Sequence, residues 1–262
     1  MDLGLKDQVV LITGASRGLG YAAVEAFAAE GARLAICSHS AAIESAAEAV
    51  RRNYSRPVLA MQADLTRQED IEGFVAAAAE AYGQIDILVA NAGGPRPGNF
   101  LEVRASDWED AFRLTLMSAV HLCYAVAWRM LAQGSGSIVA SQSYLVKQPA
   151  ENLVLSNTIR PAVVGLMKSL ANEFGPKGIR VNSIHPGWTS TERVVLLFED
   201  RARRAGTTPE VEAEKILRTV PLGRMATVEE YGRTVAWLAS PAASFIHGHA
   251  LFLDGGIVQA PL

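Results

Sequence analysis

Short aliphatic and β-branched runs alternate with longer stretches in which apolar positions recur every three to four residues, and the alternation persists nearly to the end of the chain. The runs at 9–13, 33–37, 58–62, 85–90, 137–140, 180–184 and 250–253 have the length and continuous apolarity of strands buried on both faces. Between them, 19–30, 41–53, 68–82, 106–132, 154–174 and 228–239 carry the helical period. This order predicts an α/β chain whose parallel strands are joined by right-handed helical crossovers.

No Pro/Gly/Ser-rich linker, low-complexity tract or internal repeat interrupts the pattern, so residues 1–262 are expected to form a single domain with a doubly wound parallel sheet, the Rossmann fold. Residues 189–220 break the rhythm. They follow a strand, have helical period, mix Val194, Val195, Leu196, Leu197 and Phe198 with charges, and lead to no strand of their own. A short helical lid over the C-terminal edge of the sheet fits this pattern, and an apolar underside there would suit an apolar or acyl substrate. A pair of oligomer-contact helices fits it equally well.

Half of the 262 residues are apolar, and 24 Lys and Arg stand against 27 Asp and Glu, for a formal charge of −3. That composition excludes disorder and supplies no basic excess for tracking nucleic acid; the longest cluster, Arg201-Ala202-Arg203-Arg204, is short. Cys37 and Cys123 both lie in apolar runs, which suits buried, inert thiols in a reducing compartment. His247 and His249 flank Gly248 without a third ligand nearby, so no metal site is expected. The start of the chain lacks the pattern of a secretory signal, and no later stretch reads as an uninterrupted membrane-length apolar run. The expectation is a cytoplasmic protein without membrane contact.

Candidate chemistry begins after the first strand, at Thr13-Gly14-Ala15-Ser16-Arg17-Gly18-Leu19-Gly20. Glycines at 14, 18 and 20, set between a first strand and a first helix, permit a tight turn and bring backbone amides and a helix N-terminus up to a pyrophosphate. The acid that commonly holds the adenosine ribose at the end of the second strand is missing; the chain reads Cys37-Ser38-His39-Ser40 there. Ser38 and His39 can donate to a 2′-phosphate and Arg17 adds a positive charge, so NADP(H) is favoured over NAD(H).

With these residues the chain resembles the short-chain dehydrogenase/reductase family over essentially its whole length. The match runs through 13–20, Ala63-Asp64-Leu65-Thr66, Asn91-Ala92-Gly93, Gly136-Ser137-Ile138-Val139, 178–182, Pro186-Gly187 with Thr189 and Thr191, and Asp254-Gly255-Gly256. Its nearest flavour is a divergent branch of 3-oxoacyl-[acyl-carrier-protein] reductase-like proteins, marked by Gly93-Gly94-Pro95 and Leu155-Ser156-Asn157. The resemblance implies that Asp64 and Leu65 meet the adenine edge, that Asn91, Ala92 and Gly93 line the cofactor, and that Pro186, Gly187, Thr189 and Thr191 reach its carboxamide and diphosphate end. It also implies a homodimer or homotetramer paired through the helices at 106–132 and 154–174, where His121 and Trp128 lie in a stripe that reads as core or interface.

The family's chemistry uses a Tyr phenol, a Lys that lowers its pKa and holds the ribose, a Ser on the substrate oxygen and an Asn on a water relay. Ser143 occupies the Ser position. Alignment on Gly165-Leu166-Met167-Lys168-Ser169-Leu170 sets the Tyr-x-x-x-Lys motif on Ser156-Asn157-Thr158-Ile159-Arg160, and Thr115 stands at the Asn position. An aliphatic hydroxyl is a far weaker acid than a phenol, whereas Arg160 keeps the charge and the donors to grip a ribose but cannot shuttle a proton. The expectation is an NADP(H)-dependent oxidoreductase for a carbonyl/alcohol pair with a degenerate tetrad. A catalytically silent NADP(H)-binding or sensing protein, or a structural subunit of an assembly, are the rival readings. Tyr144, with Lys147 close in sequence, is either the replacement acid or a lid-packing residue beside a solvated lysine; His185 is a second candidate acid.

Overall fold

In the computed structural model, which describes residues 2–260, the apolar runs become strands β1 Val9–Thr13, β2 Arg33–Ser38, β3 Val58–Gln62, β4 Ile87–Ala90, β5 Gly136–Ser141, β6 Ile179–Pro186 and β7 Ala250–Leu253. They form one wholly parallel sheet in the order β3-β2-β1-β4-β5-β6-β7. The order reverses between β1 and β4, and that reversal opens a crevice at the strands' C-terminal ends. β4 starts two residues later than the apolar pattern suggests, because the Asp86 carboxylate accepts a hydrogen bond from the Val9 N–H at 2.7 Å.

Alternate residues of each strand enter opposite cores. Leu11, Leu88 and Ile138 pack with Phe74 of α3 (Gln68–Tyr82), Val126 of α5 (Ser118–Gln133) and Val163 of α6 (Val154–Phe174). Ile12, Val89 and Val139 pack with Phe27 of α1 (Gly18–Ala29), Val50 of α2 (Ala42–Tyr54) and Val235 of α9 (Val228–Ala239). Burial on both faces is why the strands read as continuous apolar runs. Cys37 and Cys123 are buried and unpaired, and burial pushes both thiols up to about 12.

Two expectations change. The helix expected at 106–132 is divided into α4 (Ala105–Ala111), a π-helical turn Phe112–Met117, and α5. The turn buries Thr115 and brings Leu114 to the crevice, and the Ser118 hydroxyl donates to the Leu114 carbonyl at 2.5 Å. The whole run Ala105–Gln133 is also long and apolar enough to cross a membrane on those two grounds, against the sequence expectation. In the fold Leu122, Cys123, Val126 and Met130 of that run enter the core, while Tyr124 and Trp128 face outward.

Residues 189–220 form α7 (Glu192–Ala205) and α8 (Pro209–Leu217), each opened by a threonine, Thr191 or Thr208, whose hydroxyl accepts a backbone N–H. Their apolar side makes a separate small core: Phe198 stacks on Trp188 at 5.4 Å, with Tyr144, Leu145, Leu153, Val220 and Ile257 around the pair.

Arg180 on β6 ties the sheet to the end of α9. Its Nη1 donates to the carbonyls of Leu238, Ala243 and Ile246, and its Nη2 to those of Ala239 and Ser240. A cation at a helix C-terminus, bonded to otherwise orphaned carbonyls, is a strong local support. Arg180→Ala is therefore expected to lower the free energy of unfolding by about 2–4 kcal/mol in urea titrations, with Arg180→Lys recovering part of the loss.

Candidate active site

At the reversal of strand order, the ends of β1 and β4 hold each other by reciprocal hydrogen bonds. The Thr13 hydroxyl donates to the Asn91 carbonyl (2.8 Å) and accepts from the Asn91 N–H (3.0 Å). The Asn91 side-chain amide donates to the carbonyls of Thr13 (3.1 Å) and Gly14 (3.2 Å). The chain then turns sharply through Gly14 and enters α1 so close to its own approach that a Cβ at Gly20 would lie 2.1 Å from the Gly14 carbonyl oxygen. No side chain caps α1, so the amides of its first turn face the crevice without a side-chain partner.

The crevice has a volume of about 640 Å³. Every residue that the sequence suggested for a dinucleotide lines it: Gly14, Ser16, Arg17, Gly18, Leu19 and Gly20; Ser38 and His39; Asp64 and Leu65; Asn91, Ala92 and Gly93; Arg160; and Pro186, Gly187, Thr189 and Thr191. A glycine cradle that a side chain would fill, beneath an uncapped helix N-terminus, suits a diphosphate. Asp64 Oδ1 accepts from the Thr66 amide (2.9 Å) and hydroxyl (2.8 Å), which hold its carboxyl below the usual range. Two of the donors suggested for a 2′-phosphate are engaged within the protein: the Ser38 hydroxyl donates to the Ser40 carbonyl (3.1 Å), and Arg17 pairs with Glu192 of α7 (2.5 Å). The Arg17–Glu192 pair is exposed at both ends, where such pairs are weak and readily exchanged.

Ser143, Ser156, Arg160 and Tyr144 line the same crevice. Ser143 opens the 3-10 turn Tyr144–Val146, its hydroxyl accepting the Leu145 N–H at 3.3 Å. Ser156 and Arg160 lie one turn apart on the same face of α6, 4 % and 9 % exposed. Arg160 Nη1 donates to the backbone and side-chain oxygens of Gln142, each at 3.3 Å. Burial, then the nearby Arg193 charge, pull the Arg160 guanidinium down to about 10, which leaves it charged at neutral pH.

Lys147 does not join them. It is exposed and does not line the crevice, although its backbone N–H donates to the Tyr144 carbonyl at 3.0 Å. Tyr144 packs 6.4 Å from Trp188 in the small core beside α7 and α8, and burial raises its phenol above the ordinary value, opposed by Arg201. His185 is fully buried, stacked on Phe252 at 4.9 Å with Nε2 2.9 Å from the Ser183 hydroxyl, and burial draws it down to about 4; it does not line the crevice. His247 accepts the Val181 N–H at Nδ1 and lies 2.8 Å from the Ala171 carbonyl. Among the described residues no group of three or more His, Cys, Asp or Glu side chains could hold a metal.

The sequence reading missed Gln142, Trp188, Glu192 and Arg193, all of which line the crevice. Glu192 and Arg193 are two of the charges mixed into 189–220, and nothing in their spacing shows that they are turned to the crevice.

The sequence profile described as Enoyl-(Acyl carrier protein) reductase matches residues 14–258. Oxidoreductase UcpA of Salmonella typhimurium is 35 % identical over 256 residues, covering 96 % of this chain and 95 % of that protein. The 3-oxoacyl-[acyl-carrier-protein] reductase FabG of Escherichia coli is 30 % identical, covering 97 % and 99 %. Among solved structures, L-sorbose reductase from Gluconobacter frateurii, complexed with NADPH and L-sorbose, superposes with a TM-score of 0.94 at 29 % identity over the whole of both chains.

Asn91→Ala leaves the carbonyls of Thr13 and Gly14 without their side-chain donor. It is expected to cost about 1–3 kcal/mol of stability and to weaken binding of a nicotinamide dinucleotide about tenfold or more, as read by denaturant titration and by cofactor fluorescence.

Proposed function

Because the chain belongs to the short-chain dehydrogenase/reductase family, we propose that it is an NADP(H)-dependent oxidoreductase for a carbonyl/alcohol pair of 3-oxoacyl type, working without the family's Tyr-x-x-x-Lys motif. The observation that carries this reading is one crevice running from the glycine turn to Ser143, with Ser156 and Arg160 on its wall at the positions aligned with the family's Tyr and Lys.

In this reading the first-turn amides of α1 and the backbone of 14–20 take the diphosphate. Asp64 and Leu65 border the adenine, and Thr189 and Thr191 lie toward the carboxamide end. The missing acid after β2, with His39 exposed there, favours the 2′-phosphorylated cofactor, and Arg17 joins it by leaving Glu192. When bound, the cofactor supplies or accepts the hydride. Ser143 donates a hydrogen bond to the substrate oxygen, and Arg160, held by Gln142, offers one of its remaining nitrogens to the ribose and leaves the other for the substrate side. Ser156 is too weak an acid to replace a phenol. Tyr144 is the one phenol lining the crevice among the described residues, and its raised pKa keeps it protonated at neutral pH. α7, through Val194 and Leu197, covers the substrate together with Trp188 from the loop before it.

The changed positions 156 and 160 favour a second reading, a silent cofactor-binding protein, and two measurements separate the two. NADPH is expected to bind at least about tenfold tighter than NADH in fluorescence titrations, and a panel of ketones and 3-oxoacyl compounds is expected to consume NADPH. Binding without consumption on any substrate would support the silent reading. Ser156→Tyr with Arg160→Lys is expected to reduce the existing activity; a gain would mark a decayed site. We propose further that a homodimer or homotetramer forms through α5 and α6, where Tyr124 and Trp128 stand exposed. Sedimentation equilibrium is expected to give two or four times the chain mass, and Trp128→Glu to lower it.

A further inference from the structure

Two guanidinium groups face the substrate end of the crevice without a carboxylate to balance them. Arg160 bonds to Gln142 through Nη1, and among the described residues its Nε and Nη2 have no hydrogen-bond partner. Arg193, in the first turn of α7, donates from Nη2 to the Pro95 carbonyl at 2.7 Å and lies against Gly94, where a Cβ would be 2.5 Å from that nitrogen. Among the described residues no Asp or Glu oxygen comes within 4.0 Å of either group. The obvious candidate, Glu192 beside Arg193, is turned away to Arg17. Of the other arginines of α7, Arg203 and Arg204 have carboxylate partners and Arg201 lies over the Trp188 ring at 5.7 Å.

The two unbalanced cations share one cavity and repel each other, and burial opposes the charge on both. Keeping like charges close and partly desolvated costs free energy unless an anion completes the site. The cofactor's diphosphate is already provided for by the glycine turn at the far end. Arg160 is bonded to Gln142, the residue before Ser143, and Arg193 to the loop after β4, and both line the crevice, so an anion held by the two would lie on its Ser143 side.

We propose that the substrate is an oxo acid or hydroxy acid whose carboxylate sits between Arg160 and Arg193 while its carbonyl or hydroxyl oxygen meets Ser143. The inference rests on the oxidoreductase reading and narrows it from acyl compounds in general to those with a free carboxylate near the reacting carbon. The apolar remainder of such a substrate would lie against Leu153 and Trp188.

Malonate, titrated calorimetrically into the NADPH-saturated chain, is the probe, with dimethyl malonate as its neutral counterpart. Malonate is expected to bind and the diester not; Arg193→Gln is expected to weaken malonate about 10- to 100-fold, and Arg193→Lys to restore part of it. In turnover, acetoacetate should be preferred to methyl acetoacetate, and Arg193→Gln should bring their ratio of kcat/KM toward one. Absence of malonate binding at millimolar concentration, or binding equal in the wild type and Arg193→Gln, overturns the proposal. A loss of NADPH affinity in Arg193→Gln that matches the loss for malonate also overturns it, because the anion would then be the cofactor's own phosphate. If no nicotinamide nucleotide binds at all, the oxidoreductase reading fails separately, and malonate titrated into the free chain still decides whether the two arginines form an anion site.

Discussion

The bonds between Thr13 and Asn91 are the constraint on which the site depends. Where the strand order reverses, β1 and β4 part at their C-terminal ends and their last peptide groups lose the sheet ladder. The Asn91 side-chain amide answers two of those carbonyls, while the Thr13 hydroxyl answers both polar backbone groups of Asn91. This fixes Gly14, and with it the near contact between Gly14 and Gly20 that aims α1 into the crevice. Neither an apolar nor a charged residue at 91 could donate to two carbonyls and remain neutral, which is why an amide is suited to the position.

The sheet was legible because both its faces are covered: each strand had to be apolar along its length, and the alternation with helices left one economical topology. The glycine turn was legible for a backbone reason, since side chains at 14 and 20 have no room. The π-helical turn at 112–117 was not, because a one-residue shift in helical phase leaves the apolar stripe almost unchanged. The lid's own core was hidden too, since it joins Trp188 and Phe198 to Ile257 from the far end of the chain. Arg193 shows the limit most clearly: whether a helix charge meets solvent, a partner or a cavity is set by what the helix packs against, and that information is not local. Lys147 shows the converse, a neighbour of Tyr144 in sequence that does not line the crevice.

Positions 156 and 160 separate two tasks that a Tyr/Lys pair performs together. Holding a sugar needs donors and charge, and Arg160 supplies both, with Gln142 fixing its orientation from the end of β5. Moving a proton needs a group that can lose one, and neither Arg160 nor Ser156 does so readily. Tyr144 is buried in the lid's core rather than placed beside a cation that would lower its pKa, although Arg201 acts in that direction. A proton route through Tyr144 would therefore run from a protonated phenol at neutral pH, which suits reduction of a carbonyl better than oxidation of an alcohol.

The attachments of α7 differ in kind along its length. At its start Glu192 reaches Arg17 on the glycine turn and Arg193 reaches Pro95; near its end Arg204 reaches both oxygens of Glu102. Exposed ion pairs such as Arg17–Glu192 contribute about 0–1 kcal/mol, whereas the stacked Trp188 and Phe198 lie in a buried apolar cluster that water cannot weaken. α7 is thus anchored by its middle and held lightly at its start, where Glu192 and Arg193 line the crevice. On the proposed reading, anions entering there would compete with the light contacts: a phosphate with Glu192 for Arg17, a carboxylate with the Pro95 carbonyl for Arg193. On that reading, occupation of the crevice and the seating of α7 would be coupled through the same two guanidinium groups, and α7 could respond to a ligand without unfolding the core that anchors it.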